Sequence, residues 1–452
     1  MSLKITLKRG LDINIIGEAD YAKHSNAKPH SCAIIPDDYP GFVPKPEVKE
    51  GDYIFAGSPV LRDKNNESVK LVAPASGYVK AIVRGERRKI ERVVIDIDAG
   101  SNAVQKHGLV NIGTRDGLMH ILQQSGLWVM LRQRPYDIVP ATDKTPRDIF
   151  VTAFDSSPLA PDFDLLLNDK RNEITVGLRA LAKLTDGKVY VGVKAGNGKE
   201  TPIYDEDNIE TVIVQGCHPA GNAGIQVANI APVNKGEIVW TLDLLTVSRF
   251  GTLLLTGIVP QNVTIAVTGS ETKNPEYVHT IIGADIKSLI ENNISDSKCH
   301  KRIISGNVLT GVKVGIEDYL RYPYRQITII PEGDDVAEFM GWASLNASKM
   351  SVNRSFIGHF LKKRKFAPDA RILGSRRAMI MSGEYDKVLP MDIMAEYLLK
   401  AIISRNIDDM EKLGIYEIAP EDLALCEYVD TSKIEIQKIV REGLDYLRKE
   451  LE

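Results

Sequence analysis

The chain has 452 residues, which is too long for one hydrophobic core and predicts about three or four domains. Its net charge is −3 and its pI is near 6.3, so it lacks the clustered basic excess that nucleic-acid binding needs. No apolar stretch approaches the roughly 20 residues of a membrane-spanning helix. Residues 1–17 lack the apolar segment of an export signal, so the sequence indicates a protein of the cytoplasm or of the cytoplasmic face of a membrane.

The four cysteines lie far apart in the sequence. They are Cys32, Cys217, Cys299 and Cys426. None belongs to a Cys-x-x-Cys pair, whereas iron–sulfur clusters and structural zinc sites use closely spaced thiolates. We therefore expect four reduced and mostly buried side chains, and neither a redox centre nor a metal site in this chain.

Residues 1–100 have the pattern of short β-strands separated by turns. Turns at residues 49–52 and 74–77 punctuate apolar segments, and residues 78–83 and 93–97 are the clearest strands. Short strands with glycine and proline turns indicate a small barrel or sandwich. Because the turn pattern resembles that of lipoyl-type domains, we predict a lipoyl-like barrel-sandwich domain here.

Residues 101–256 alternate between helical and strand patterns. Thr114 is placed to cap a helix that stops at Gly126, residues 149–151 form a buried strand pattern, and residues 174–182 form a second helix. This alternation predicts a Rossmann-like α/β domain with a parallel sheet. Further strand candidates are residues 189–193 and 211–214.

Residues 257–330 predict a β-grasp module of the SLBB type. Strand patterns at residues 253–255 and 263–267 precede a helix at residues 286–290 and a strand at residues 302–304. Strand, strand, helix and strand in this order suit a ubiquitin-like β-grasp fold.

Residues 331–452 predict a helical C-terminal domain. Pro390 is placed to open a helix through Ala401. Apolar residues at helical spacing run from Ile436 to Leu451 and predict the final helix. The whole chain is thus expected to be a multidomain α/β plus β protein.

Three segments have partial signatures of cofactor chemistry. Residues 216–224 follow a strand and precede a helix, but they lack both the Lys-Ser/Thr of a P-loop and a complete G-x-G-x-x-G. Residues 196–201 have only the first two glycines of that fingerprint. Lys64 lies roughly where a lipoyl domain presents its modified lysine, but Asn65 and Asn66 do not form an apolar hairpin tip. We interpret the two glycine segments as turns and Lys64 as unmodified.

Six sequence blocks carry a family resemblance. They are residues 48–52 with 73–77 and 84–87, residues 126–135 (Gly-Leu-Trp to Arg-Gln-Arg-Pro), residues 218–224 (His-Pro-Ala-Gly-Asn-Ala-Gly), residues 302–311, residues 383–393 and residues 421–426. Together and in this order they resemble the A subunit of sodium-translocating NADH:quinone oxidoreductases. The chain departs from the family at residues 429–433, where the family often has a second cysteine.

The resemblance implies a peripheral subunit on the cytoplasmic side of the bacterial inner membrane. The complex would transfer electrons from NADH to ubiquinone or menaquinone and pump Na⁺ out of the cell. The resemblance also implies that FMN, FAD and the 2Fe–2S cluster belong to partner subunits, that the membrane-embedded B subunit is the chief partner, and that the isolated chain is inactive. Two alternatives remain open: a free-standing flavin- or NAD-binding oxidoreductase, and a lipoyl-type carrier protein.

Four residues are candidates for contact with quinone. Arg132, Arg134 and His218 supply hydrogen-bond donors for its carbonyl oxygens, and Trp128 supplies an apolar wall for its ring. The alternatives are interdomain salt bridges for the two arginines and a hydrogen-bonded turn for the histidine. No catalytic residue is predicted. The basic run at residues 362–365 is either a solvated face or a contact with anionic lipid.

Overall fold

The computed structural model describes residues 3–196, 202–336, 347, 349–352, 356–361 and 364–451. Two segments that the sequence analysis named lie partly outside these ranges. They are residues 197–201 of the second glycine segment and Lys362 and Lys363 of the basic run.

The strands of the described residues form four sheets. The strands are β1 (Leu3–Thr6), β2 (His24–Asn26), β3 (Ser31–Ile34), β4 (Pro44–Pro46), β5 (Tyr53–Ile54), β6 (Pro59–Asp63), β7 (Lys70–Val72), β8 (Gly77–Arg84), β9 (Ile90–Ile97), β10 (Arg132–Arg134), β11 (Asp148–Thr152), β12 (Val189–Lys194), β13 (Ile209–Gln215), β14 (Val239–Asp243), β15 (Asn262–Thr268), β16 (Glu276–Ile281), β17 (Lys301–Ser305), β18 (Val312–Val314) and β19 (Gln326–Pro331).

The helices of the described residues are concentrated in the α/β layer and at the C-terminus. They are α1 (Arg115–Gln124), α2 (Phe163–Leu166), α3 (Arg171–Ala182), α4 (Ala223–Ile230), α5 (Leu244–Thr256), α6 (Ile286–Ile290), α7 (Tyr385–Val388), α8 (Ala395–Ile403), α9 (Ile407–Lys412), α10 (Ala424–Val429) and α11 (Ile436–Leu451). Of the helices in the described part of the chain, none is long and apolar enough to cross a membrane.

The barrel-sandwich domain is built from two small antiparallel sheets. One has the order β3-β9-β8-β5 and the other has the order β4-β6-β7. Apolar side chains alternate along these strands, and their inward members, such as Val60, Val79 and Ile95, are buried in one core. The sequence prediction of a barrel-sandwich fold is confirmed.

A six-stranded sheet forms the α/β domain. Its order is β1-β13-β12-β11-β14-β10, and all neighbours are parallel except β10 and β14. The predicted helix at Thr114 is confirmed as α1, because the Thr114 hydroxyl accepts a hydrogen bond from Gly117 N at 3.2 Å and Gly126 has φ +74°. The expectation of a Rossmann-like α/β layer is confirmed.

Residues 253–255 form the end of α5, and the predicted strand is wrong. Asp243 caps this helix, because its Oδ1 accepts a hydrogen bond from Thr246 N at 2.6 Å, and Gly257 ends it with φ +72°. Three consecutive leucines fit a buried strand and a buried helix equally well, so periodicity alone could not separate the two. The buried face of α5 packs on α3.

The β-grasp sheet has the order β18-β17-β19-β15-β16-β2, with α6 packed on its apolar face. The predicted strands at residues 263–267 and 302–304 and the predicted helix at residues 286–290 are confirmed. The first 26 residues serve these two larger sheets, since β1 pairs with β13 and β2 pairs with β16.

The C-terminal part is helical, as predicted. Its final helix, α11, begins at Ile436 and buries Val440, Leu444 and Leu447 against α8 and α10. The helix predicted to open at Pro390 begins later, at Ala395, because α7 ends at Val388 and the backbone of Leu389 is extended. An extended residue before proline is the conformation that proline favours.

Candidate functional site

Trp128 is buried inside the α/β domain. It opens a single 3₁₀ turn after α1, and no part of its side chain is exposed. Its Nε1 donates a hydrogen bond to Pro140 O at 2.9 Å, and its ring meets the ring of Trp240 edge to face, with 5.2 Å between the centroids. The side chain therefore satisfies its polar group internally and forms part of the core.

Arg132 lies where the α/β domain, the barrel and the β-grasp module meet. Its guanidinium donates from Nη2 to Asp38 O at 2.8 Å and from Nη1 to Val129 O at 3.0 Å, and it lies 5.7 Å from the centroid of the Tyr322 ring. Asp38 in turn accepts a hydrogen bond from Arg321 Nε at 2.7 Å. Arg132 is partly exposed, unlike the other three candidates.

Arg134 points in another direction, towards the C-terminal domain. Its Nη1 donates to Asp422 Oδ2 at 2.6 Å, and its Nη2 donates to Glu421 Oε1 at 3.2 Å. Its side chain is 1% exposed, so the charge is desolvated and needs these carboxylates. Of the two interpretations of Arg134, contact with quinone and an interdomain salt bridge, the structure shows the salt bridge.

His218 is held in the turn between β13 and α4. Its Nδ1 and the hydroxyl of Ser156 share a hydrogen bond of 3.0 Å, and its backbone N–H donates to Asp12 Oδ1 at 2.9 Å. The side chain is buried, and this burial lowers its pKa, against the opposing effect of Asp155 and Asp12. The neutral imidazole is therefore favoured at neutral pH, and the hydrogen-bonded turn describes this residue.

The glycines of residues 216–224 permit close packing. A Cβ on Gly224 would lie 2.2 Å from Asp422 Oδ2 and 2.5 Å from Arg134 Nη1, and a Cβ on Gly221 would lie 2.6 Å from Ser156 N. The Asp422 carboxylate thus lies against the first turn of α4, where the helix dipole favours an anion. The chain itself supplies the negative charge that a phosphate would bring to this turn.

The structure brings Arg134 and the His218 turn to the same domain contact. Gly224 touches both Arg134 and Asp422, and Asn222 Nδ2 donates to Glu421 O at 3.2 Å. Arg132 instead contacts Asp38 and Tyr322, and Trp128 lies in the core. The four candidates therefore do not line one cavity in this structure.

The sequence candidates for modification and for redox chemistry are separated in space. Lys64 is an exposed residue of the loop between β6 and β7, and that loop is held to the α/β domain by a hydrogen bond from Asn66 to Thr142. All four cysteines are free thiols. Burial raises the pKa of the thiols of Cys32, Cys217 and Cys426, which disfavours the reactive thiolate.

The described half of the basic run makes internal contacts. Arg364 lies 5.9 Å from the centroid of the Phe366 ring, and Lys365 Nζ pairs with Glu18 at 2.7 Å. Lys362 and Lys363 lie outside the described residues. A contact with lipid stays a prediction.

Sequence reasoning missed a cavity of about 610 Å³ between the α/β domain and the β-grasp sheet. Its walls carry Lys170, Arg249 and Arg325, which come from three distant parts of the chain. No spacing rule connects such positions, so no local signal could have revealed the cavity.

The arrangement of domains and contacts defines a multidomain α/β plus β protein of the barrel-sandwich, α/β and β-grasp type. Three family models match it, under the descriptions NqrA N-terminal barrel-sandwich hybrid domain at residues 5–98, NqrA second alpha/beta domain at residues 113–259 and NQRA C-terminal domain at residues 264–315. The last of these is an SLBB domain model.

Relatives that match over their full length share one name, that of the A subunit of the Na(+)-translocating NADH-quinone reductase. The relative from Neisseria meningitidis serogroup B is 35% identical, with 99% of this chain and 100% of the relative covered. The relative from Rhodopirellula baltica is 36% identical, with 98% of each chain covered. This chain therefore belongs to the family of A subunits of the Na(+)-translocating NADH-quinone reductases.

A solved structure of an NAD⁺-reducing [NiFe]-hydrogenase in the air-oxidized state is also similar in part. It has a TM-score of 0.37 and 10% sequence identity, and the match covers 77% of this chain and 71% of the hydrogenase chain. A likeness at that level carries no argument about function.

Proposed function

We propose that this chain is the peripheral A subunit of a membrane complex that transfers electrons from NADH to ubiquinone or menaquinone and exports Na⁺. The observation that carries the proposal is the 35% identity to a protein of that name over 99% of this chain and the whole of the relative. Family models of the same A subunit also match three separate parts of the chain, at residues 5–98, 113–259 and 264–315.

The cytoplasmic side of the bacterial inner membrane is the proposed location, with the membrane-embedded B subunit as the chief partner. The described helices offer no membrane span, so attachment has to come from contact with other subunits or with lipid. Proteins without such a span bind membranes through partners, amphipathic surfaces or lipid anchors. Fractionation tests this step. With its partner subunits co-expressed, the chain should sediment with membranes, and without them it should not.

We propose further that partner subunits bind FMN, FAD and the 2Fe–2S cluster, and that the isolated chain is inactive. Two observations support it. Burial disfavours the thiolate at three of the four cysteines, and the Asp422 carboxylate lies against the turn at residues 216–224, where a phosphate would have to bind. A visible spectrum of the purified chain tests the proposal. A flavin or cluster absorbance that persists through gel filtration would contradict it.

Contact with quinone is proposed to involve Arg132, at the junction of three domains, with the B subunit completing the site. Arg132 is partly exposed and already lies over an aromatic ring, that of Tyr322. Trp128, Arg134 and His218 are buried, so we assign them a supporting role behind this surface. A quinone head group needs only a donor or two and an apolar wall.

A photoreactive quinone analogue applied to the whole complex tests this contact. Labelling should include peptides around Arg132, and Arg132→Gln should raise the KM for quinone more than it lowers kcat. Labelling confined to other subunits, with unchanged kinetics in that variant, would leave this chain as scaffold. Arg134→Ala is a poor probe, because it breaks a buried ion pair and tests folding instead.

A further inference from the structure

The cavity between the α/β domain and the β-grasp sheet has the size of a ligand site. Its volume is about 610 Å³, and its walls come from α5, β15 and β16. Asn26 and Ala27 at the end of β2, Leu166 at the end of α2 and Lys170 just before α3 complete the lining. Sites for small organic ligands have volumes of about 300–1,000 Å³ and lie preferentially between domains.

Positive charge dominates the lining of this cavity. Lys170, Arg249 and Arg325 line it, and no described aspartate or glutamate does. Burial lowers the pKa of Arg249 and of Lys170, and the charge of Arg325 lowers both further. Like charges held together in this way favour the binding of an anion between them.

Arg249 is fixed in place by the chain itself. Its Nη1 donates to Pro260 O at 2.8 Å and its Nη2 donates to Asn262 O at 2.8 Å. Both acceptors belong to the segment that leads into β15, so the guanidinium carries its charge to the cavity without any neutralising carboxylate hydrogen-bonded to it.

Arg325 has hydrogen-bond donors without a partner among the described residues. It is 9% exposed, yet its Nε and Nη2 donate no hydrogen bond to any described residue. The nearest carboxylate oxygen with which it pairs, Asp243 Oδ2, is 3.8 Å from Nη2, beyond hydrogen-bond distance, while Asp243 Oδ1 caps α5. Buried guanidinium donors are normally satisfied, so these two unpartnered nitrogens point to a missing acceptor.

Thr264 and His279 add polar groups on the side of the cavity that the β-grasp sheet forms. Thr264 Oγ1 and His279 Nδ1 share a hydrogen bond of 2.8 Å. Hydroxyl and guanidinium groups are common donors for the oxygen atoms of a phosphate group. Leu166 and Leu245 provide apolar surface in the same cavity.

We propose that this cavity binds a phosphate monoester of a small organic molecule. The phosphate lies against Arg325, with the charges of Arg249 and Lys170 nearby, and the organic part packs on Leu166 and Leu245. A dianion suits three cations better than a monoanion does, and the planar fork of arginine matches phosphate oxygens. None of Trp128, Arg132, Arg134 and His218 lines this cavity, so the inference stands apart from the proposed quinone contact.

The test uses the purified full chain and phenyl phosphate as the probe, with calorimetry and thermal melting as readouts. Phenyl phosphate should bind saturably and raise the melting temperature, as any ligand of the native state does. Inorganic phosphate should bind more weakly, benzoate about tenfold more weakly, and phenol not measurably at equal ionic strength. Equal binding of benzoate would contradict a phosphate site, and no binding of phenyl phosphate at about 10 mM would overturn the proposal.

Four variants locate the binding. Arg325→Met should weaken it by more than about tenfold, and Thr264→Val and Lys170→Gln should weaken it several-fold. Arg179→Gln is the matched control, because Arg179 is an exposed arginine paired with Glu206 outside the cavity, and binding should equal that of the parent chain. If Arg325→Met does not fold, the other two variants decide. Unchanged binding in both Thr264→Val and Lys170→Gln would refute the site.

Discussion

Arg134 and Asp422 form a buried ion pair between the α/β domain and the C-terminal helical domain. Nη1 of Arg134 lies 2.6 Å from Oδ2 of Asp422, and the two side chains are 1% and 0% exposed. Neither charge has water to solvate it, so each depends on the other for its place in the interior. Substitutions in this pair therefore measure how much the contact between the two domains contributes to stability.

Removing one member of the pair should destabilise the protein strongly. We expect Arg134→Met and Asp422→Leu each to lower the free energy of unfolding by about 3–5 kcal/mol, because each leaves a buried charge without its partner. The double variant should lose less than the sum of the two, since it leaves neither buried charge of the pair behind, and Glu421, which also pairs with Arg134, is half exposed. Urea unfolding followed by circular dichroism measures all three.

The control for this cycle is Arg179→Gln, which removes an exposed ion pair with Glu206. Its cost should stay below about 1 kcal/mol. Additive effects of the two buried substitutions would show that Arg134 and Asp422 do not depend on each other.

Gly224→Ala should disturb the contact between Arg134 and Asp422, because Gly224 lies against both side chains. The added Cβ would meet Asp422 Oδ2 at 2.2 Å and Arg134 Nη1 at 2.5 Å, so the ion pair would have to move. We expect a loss of about 1–3 kcal/mol, the usual cost of overpacking, although alanine is the better helix former.

Gly113→Ala is the matched control for this substitution. A Cβ on Gly113 meets nothing within 4 Å, and the change should cost less than about 0.5 kcal/mol. Equal melting temperatures for the two variants would show that the turn at residues 216–224 tolerates a side chain, and would reopen its interpretation as a ligand loop.

His218 should make the fold sensitive to mild acid. Its pKa is lowered from an ordinary value of 6.5 by burial, so the folded chain favours the neutral ring. Its contribution is therefore fully present above about pH 6.5 and is lost as the pH falls through the lower pKa of the folded state. His218→Asn, which can keep a hydrogen bond to Ser156, should lose less stability between pH 7.5 and 5.5 than the parent chain does.

The ring of His218 can be followed directly by NMR titration in the folded protein. A titration midpoint at or above the value of free histidine would contradict the buried neutral ring. A ring that is partly protonated at neutral pH would again be a candidate donor for a carbonyl oxygen of quinone.

Glu332 should show the acid dependence of a paired carboxylate. Its Oε1 accepts hydrogen bonds from Arg302 at 2.6 Å and from Lys313 at 3.1 Å, and these contacts lower its pKa to about 2. The stabilisation is present above an unfolded-state pKa of about 4.5 and is lost as the pH falls towards 2. Because solvent screens this partly exposed group, we expect only about 1 kcal/mol.

Urea unfolding of the parent chain and of Glu332→Gln tests this dependence. The difference between the two should be present at pH 7 and should shrink at pH 3. A difference that stays constant across this range would mean that the carboxylate charge contributes nothing, and that the variant acts through shape alone.

Local patterns predicted the elements whose ends are determined by neighbouring residues. Thr114 and Gly126 bracket α1 within a few positions, so the cap and the stop are both visible in the sequence. The same reasoning failed at residues 253–255, because the cap at Asp243 and the stop at Gly257 lie outside a short leucine run that fits either structure. Pro390 likewise marks an extended segment before α8 rather than its first turn.

The candidate site was predicted only in part. The sequence shows which residues carry hydrogen-bond donors, but the residues they contact lie far away along the chain. The sequence indicated that Arg132, Arg134 and His218 carry donors, and it allowed both a ligand contact and an internal contact for each. The structure shows internal partners for all three: Asp38 for Arg132, Asp422 for Arg134 and Ser156 for His218. The predicted domain boundaries at residues 100, 256 and 330 stay predictions.

By itself the sequence determined the family, the order of domain types and most of the strands and helices, since these depend on composition, periodicity and caps within a few residues. The tertiary structure alone decided which charges meet. Arg134 finds Asp422 at a distance of 288 positions along the chain, and Lys170, Arg249 and Arg325 converge on one cavity from three separate segments. Such pairings follow from how whole domains pack, because burial makes an unpaired charge costly only once the surrounding surfaces have closed.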